Sequence, residues 1–68
     1  MEILDHALAI LFEKRQEGED DIQVAELNTQ LISRWGNFAT IMSIQDIIGW
    51  LTKQDKVMEE EGILFFLF

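Results

Sequence analysis

The chain has 68 residues, 49% of them apolar, and its 13 Asp and Glu against 5 Lys and Arg leave a formal net charge of −8. That length supports one domain, 1–68, with a single economical core, and the absence of cysteine excludes disulfides and thiolate metal sites. The charge sets the molecule as a whole against nucleic acid, since a duplex carries one negative charge per roughly 1.7 Å of axis.

Residues 3–16 predict an amphipathic helix. Ile3, Leu4, Ala7, Leu8, Leu11 and Phe12 recur at the three-and-four spacing, with Asp5, Glu13 and Gln16 on the other side. Glu2 and Asp5 lie near the positive end of its dipole, and Lys14 and Arg15 near the negative end. The segment Met1 to His6 has no basic stretch of the kind that opens a secretory signal, so an intracellular protein is expected. Glu17 to Asp21 reads as an acidic loop, and Ile22-Gln23-Val24 as a very short strand. A second helix is expected from about Ala25 to Trp35, with Val24, Leu27, Leu31, Ile32 and Trp35 apolar and Gly36 as its stop. The connection Asn37 to Met42 is apolar enough to pack down on the core.

Ser43 is placed to cap a third helix that buries Ile44, Ile47, Ile48 and Leu51 and ends near Gln54-Asp55. Lys56 to Glu59, a turn at Glu60-Glu61-Gly62, and Ile63 to Phe68 then read as a hairpin. The expected fold is α+β: a winged helix-turn-helix of three helices with a short strand and a C-terminal two-stranded wing. A plain three-helix bundle with a frayed tail would leave Phe65, Phe66 and Phe68 without a surface to cover. The longest apolar run, Ile63 to Phe68, is far shorter than the ~20 residues a membrane-crossing helix requires, so no membrane association is expected.

Catalytic chemistry finds no constellation. His6 is the only histidine, Ser33 and Ser43 have no neighbouring base, and Gly18, Gly36, Gly49 and Gly62 stand singly rather than in a phosphate-binding loop. The acidic runs Glu19 to Asp21 and Glu59 to Glu61 lack the spacing of a calcium loop and read as solvated surface. Neither enzyme activity nor a cofactor or metal is expected.

DNA reading would use the free face of the third helix, which carries Gln45, Asp46, Gly49, Thr52 and Lys53 with one cation among them. The wing tip, Glu60-Glu61, is acidic where a phosphate contact needs Lys or Arg. Direct DNA binding is therefore expected to be weak or absent, although a small winged-helix transcriptional regulator is the competing reading. An acidic decoy occupying a partner's nucleic-acid groove is a third.

Protein docking is the better match to the residues. The last strand is apolar at every position, so one alternate set, Leu64, Phe66, Phe68 or Ile63, Phe65, Leu67, must point away from the helices. Trp50 sits well off the centre of its helix stripe. Either these aromatics form a contact patch, or the 37–42 connection or the N-terminus covers them. The expected interaction residues are Trp50, Lys53, Met58, Leu64, Phe66 and Phe68.

The hairpin end also carries a family resemblance. Ser43-Ile44-Gln45-Asp46-Ile47-Ile48, Leu51, Gln54-Asp55-Lys56-Val57-Met58 and Glu61-Gly62-Ile63-Leu64-Phe65-Phe66-Leu67 resemble the C-terminal winged helix of the third subunit of the eukaryotic minichromosome maintenance (MCM) replicative helicase. Ala7-Leu8 with Leu11-Phe12-Glu13 is similar too; the 17–21 and 36–42 stretches match nothing in that pattern. The resemblance implies a fragment of a larger nuclear subunit, without its nucleotide-binding motifs. It further implies that this fragment contacts the origin recognition complex, its loader ATPase and other helicase subunits during replication licensing.

Overall fold

The computed structural model describes residues 2–68, and Met1 lies outside it. The elements run α1 (Ile3–Gln16), β1 (Asp21–Gln23), α2 (Val24–Trp35), a 3-10 turn (Phe38–Thr40), α3 (Ile44–Lys53), β2 (Val57–Glu60) and β3 (Ile63–Phe66). Helix, short strand, helix, helix and hairpin in that order make an α+β domain with the winged-helix layout.

Local chemistry sets the helix ends. The Glu2 N–H donates to the Asp5 carboxylate at 3.1 Å, which satisfies a donor at the start of α1. Chain reversal after α2 uses Gly36 at φ 99°, with its N–H on the Ile32 carbonyl. Ser43 caps α3, its Oγ accepting from the Asp46 N–H at 3.1 Å. Losing such a cap removes one of the few partners an orphan helix donor has. Ser43→Ala is therefore expected to cost about 1 kcal/mol, read as a lower urea midpoint with an unchanged slope. At the other end of α3, Asp55 adopts φ 57° and the Lys56 N–H reaches back to the Leu51 carbonyl, closing the helix before β2.

The sheet is antiparallel in the order β1-β3-β2, so the apolar run at the chain end is its central strand. Only β3 can supply ladder partners to both neighbours. Ile22 faces Leu64 across one ladder, and Val57 faces Phe66 across the other. The wing is a two-residue turn: Glu60 pairs with Ile63, leaving Glu61 and Gly62 at φ 50° and 78°. Positive φ at both central residues is the twist a two-residue hairpin needs. The turn is one residue shorter than the expected Glu60-Glu61-Gly62, because Glu60 stays in the ladder.

Inside, Ile3, Ala7, Ile10 and Leu11 of α1 meet Leu27 and Leu31 of α2 and Ile47, Ile48 and Leu51 of α3. Ile22, Val57 and Leu64 close the core from the sheet, and Phe38 plugs it from the 3-10 turn. The connection 37–42 thus packs down as expected, through Phe38. Two details of the periodicity reading change. Ile10 is fully buried although it falls outside the expected stripe, while Phe12, Ile32 and Trp35 keep substantial exposure. The burial of Ile10 follows from α1 packing on two sides, against α2 and against α3 and β1, which widens its buried face beyond one stripe.

Candidate functional site

Pleat parity decides which side chains the sheet offers. Directly opposed residues of an antiparallel pair project to the same face. Leu64, its partner Ile22, Val57 and Phe66 therefore point at the helices, and the three that are fully covered (Ile22, Val57 and Leu64) are core residues. Phe65 pairs with Asp21 on one side and Met58 on the other, so these three share the outer face. Ile63 joins them there, between Gln23 and Glu60. Ile63 and Phe65 are only part-covered, and Met58 is 51% exposed.

This corrects one member of the expected interaction set, Leu64. Leu64 is 0% exposed and cannot touch a partner in the folded domain. Phe66 and Phe68 are part-buried and pack against the core. Their rings stack at a centroid distance of 5.3 Å, and Phe12 meets Phe68 edge-on at 5.0 Å. The ring that meets Phe68 thus comes from α1, through Phe12, and Phe66 stacks on Phe68 in turn. Lys56 adds its ammonium 5.9 Å from the Phe12 ring centre. Trp50 also leans on the core and is half-buried. Of the expected set, Lys53 and Met58 are the ones left open to solvent. The structure brings Met58 together with Phe65 and Ile63, which belong to the other of the two alternate sets and were not among the expected interaction residues; Leu67 of that set, just past β3, is 54% exposed.

The cations do not gather. Arg15 pairs with Asp20, Arg34 of α2 with Glu13 of α1, and Lys14 of α1 with Glu26 of α2 at 2.5 Å. The hydrogen bond to Glu26, joined by the fields of Glu26, Glu17 and Glu19, raises the Lys14 pKa above its usual value against the opposing pull of desolvation. Lys14 is a cation at neutral pH in any case; the raised pKa means that what its pairing contributes to folding is present below the ordinary lysine pKa and is lost as pH climbs through the raised value. On α3, Gln45, Asp46, Gly49, Thr52 and Lys53 are all exposed, as the helical spacing predicts, and Lys53 is the single cation of that face. The edge strand β2 presents Glu59 and Glu60 to solvent, and Glu61 follows in the turn. A phosphate backbone approaching α3 and the wing in the usual helix-turn-helix pose meets four carboxylates, Asp46 and Glu59 to Glu61, and one free ammonium.

A second apolar feature lies at the N-terminal end of α1 and the C-terminal end of α2. Glu2, Ile3, Leu4, Trp35, Ile41 and Met42 bound an open groove of about 440 Å³. The Trp35 ring is held edge-on to His6 at 5.4 Å. No signal in the sequence marked this groove, because it joins three segments that are distant along the chain.

Among the described residues, no three His, Asp or Glu side chains converge as metal ligands, and no helix is long and apolar enough to cross a membrane. No protein-family model, no curated protein and no solved structure matches the chain.

Proposed function

We propose that this domain is a non-catalytic protein-interaction module of a DNA replication helicase subunit, docking on the origin recognition complex and its loader ATPase through the outer face of its sheet. The observation that carries the docking half of this reading is the solvent-facing Met58–Phe65 pair with Ile63 beside it, bordered by Asp21 and Glu60. Apolar side chains ringed by polar ones are the usual anatomy of a contact surface, with aromatic anchors at its centre. The partner half rests on the resemblance of residues 43–67 to the helicase subunit's C-terminal domain. Nucleic acid is the poorer match: three of the five cations are tied up in intramolecular pairs, and affinity for a duplex comes from cations replacing counterions.

The experiment is a pull-down of purified origin recognition complex with its loader ATPase, using the domain as bait. Met58→Asp is expected to abolish recovery of the complex while circular dichroism stays native, because Met58 contributes nothing to the core. Lys53→Ala, on α3 rather than on the sheet, is expected to leave recovery near that of the parent. Undiminished recovery by Met58→Asp and by a second outer-face variant, Phe65→Lys, would exclude this surface. Duplex binding by the parent at low ionic strength, falling steeply with added salt, would favour the regulator reading instead.

A further inference from the structure

The groove between the start of α1 and the end of α2 is set apart from the wing: β1 joins the opposite ends of those two helices, and it is β1 that pairs with β3. Its floor is Ile3 and its walls are Leu4, Trp35, Ile41 and Met42. Ile41 stands 61% exposed and Trp35 36% exposed. Neither contributes to the core or to the sheet surface. Among the described residues, Glu2 is the one ionised side chain that lines the groove, and no cation lies within ion-pair distance of it. Asp5 adjoins it, accepting the Glu2 N–H at 3.1 Å. The nearest cation in sequence, Arg34, is drawn away to Glu13.

We propose that this groove docks a basic amphipathic helical peptide, with one large aliphatic or aromatic side chain seated beside Trp35 and Ile41 and a Lys or Arg near it facing Glu2 and Asp5. Charge complementarity selects that occupant. An apolar trough edged by the Glu2 carboxylate, with Asp5 beside it, on a molecule of net charge −8, repels anionic metabolites and acidic segments and attracts cationic ones. The opening is shallow and suits one or two side chains, as in the helix-in-groove mode of peptide recognition. This inference stands whether or not the sheet face binds the helicase loader, since the two surfaces share no residue.

The test uses two synthetic amphipathic helical peptides of the same pattern, one built from Leu and Lys and the other from Leu and Glu, titrated into the isotope-labelled domain. The Leu/Lys peptide is expected to shift the Trp35 indole and the Ile41 and Glu2 resonances, and the Leu/Glu peptide to leave them in place. Ile41→Glu is expected to abolish the shifts, and Glu2→Gln to weaken binding by about fivefold, the loss of a single exposed charge contact. Ile41→Gln serves as a milder variant should Ile41→Glu disturb the fold. Shifts spread over Glu17 to Asp21 and Glu59 to Glu61 instead of the groove would mean diffuse charge attraction and overturn the proposal. So would the absence of binding by either peptide. A concentration-dependent dimer in sedimentation that Ile41→Glu dissolves would make a second copy of the chain the occupant, which also overturns it.

Discussion

Leu64→Ala is expected to remove about 3 kcal/mol of folding free energy, within the ~2–5 kcal/mol range for truncating a fully buried Leu. The residue sits at the middle of the central strand, opposite Ile22, with no exposed surface. Removing its side chain leaves a void bounded by the sheet and the helices at once. Stability of ~0.05–0.15 kcal/mol per residue puts a chain of 68 residues at roughly 3–10 kcal/mol, so this one change consumes a large part of the total. With a urea slope of ~1 kcal/mol/M for a small domain, the midpoint should fall by about 3 M. The informative contrast is Leu67→Ala, three positions on. Leu67 is 54% exposed, and its truncation should stay within about 0.5 kcal/mol of the parent. Equal losses in the two variants would mean that the strand parity described above is wrong.

Gly62→Val should cost about 2 kcal/mol through the backbone alone. Gly62 stands at φ 78° in the wing turn, and a left-handed conformation costs an L-residue ~1–2 kcal/mol, with a β-branched side chain at the upper end. Space is not the obstacle, because a Cβ built at Gly62 meets nothing within 4 Å. The neighbouring position gives the opposite sign. Glu61 already holds φ 50° with an unfavourable side chain, and Asn is the residue that the first position of this turn prefers. Glu61→Asn is expected to raise stability by about 0.5 kcal/mol, measured by the same urea denaturation. A Gly62→Val domain as stable as the parent would show that the wing does not close through this turn in solution.

Much of the architecture is legible along the chain. The spacing of Ile3, Ala7 and Leu11, of Leu27 and Leu31, and of Ile47, Ile48 and Leu51 marks three helices, because each must bury a stripe that recurs every three to four residues. Ser43 and Gly36 mark ends because orphan N–H groups and chain reversal demand those residue types. Gly62, in the expected turn Glu60-Glu61-Gly62 between two β-prone runs, marks a hairpin for the same kind of reason. The free face of α3 is legible too, since helical geometry alone assigns Gln45, Asp46, Gly49, Thr52 and Lys53 to solvent.

The outer face of the sheet is a different case. A run in which every residue from Ile63 to Phe68 is apolar carries no alternation, so it cannot say which set is inside. The structure resolves this through register: once Glu60 pairs with Ile63 across a two-residue turn, Leu64 and Phe66 must turn inward with Val57, and Phe65 must turn outward with Met58. Phe12 was equally opaque, since nothing near it in sequence announces that it covers Phe68.

What the sequence by itself determined is the acidic charge balance, the helix stripes, their caps and the existence of a wing, all of which depend on neighbours within a turn or two along the chain. What only the tertiary structure decided is which aromatics are covered, where the cations are spent, and that Trp35, Ile41 and Leu4 meet around one groove. Those outcomes depend on contacts between residues far apart in the chain. They are fixed by how α1 seats against α2 and the sheet, a choice that local periodicity does not encode.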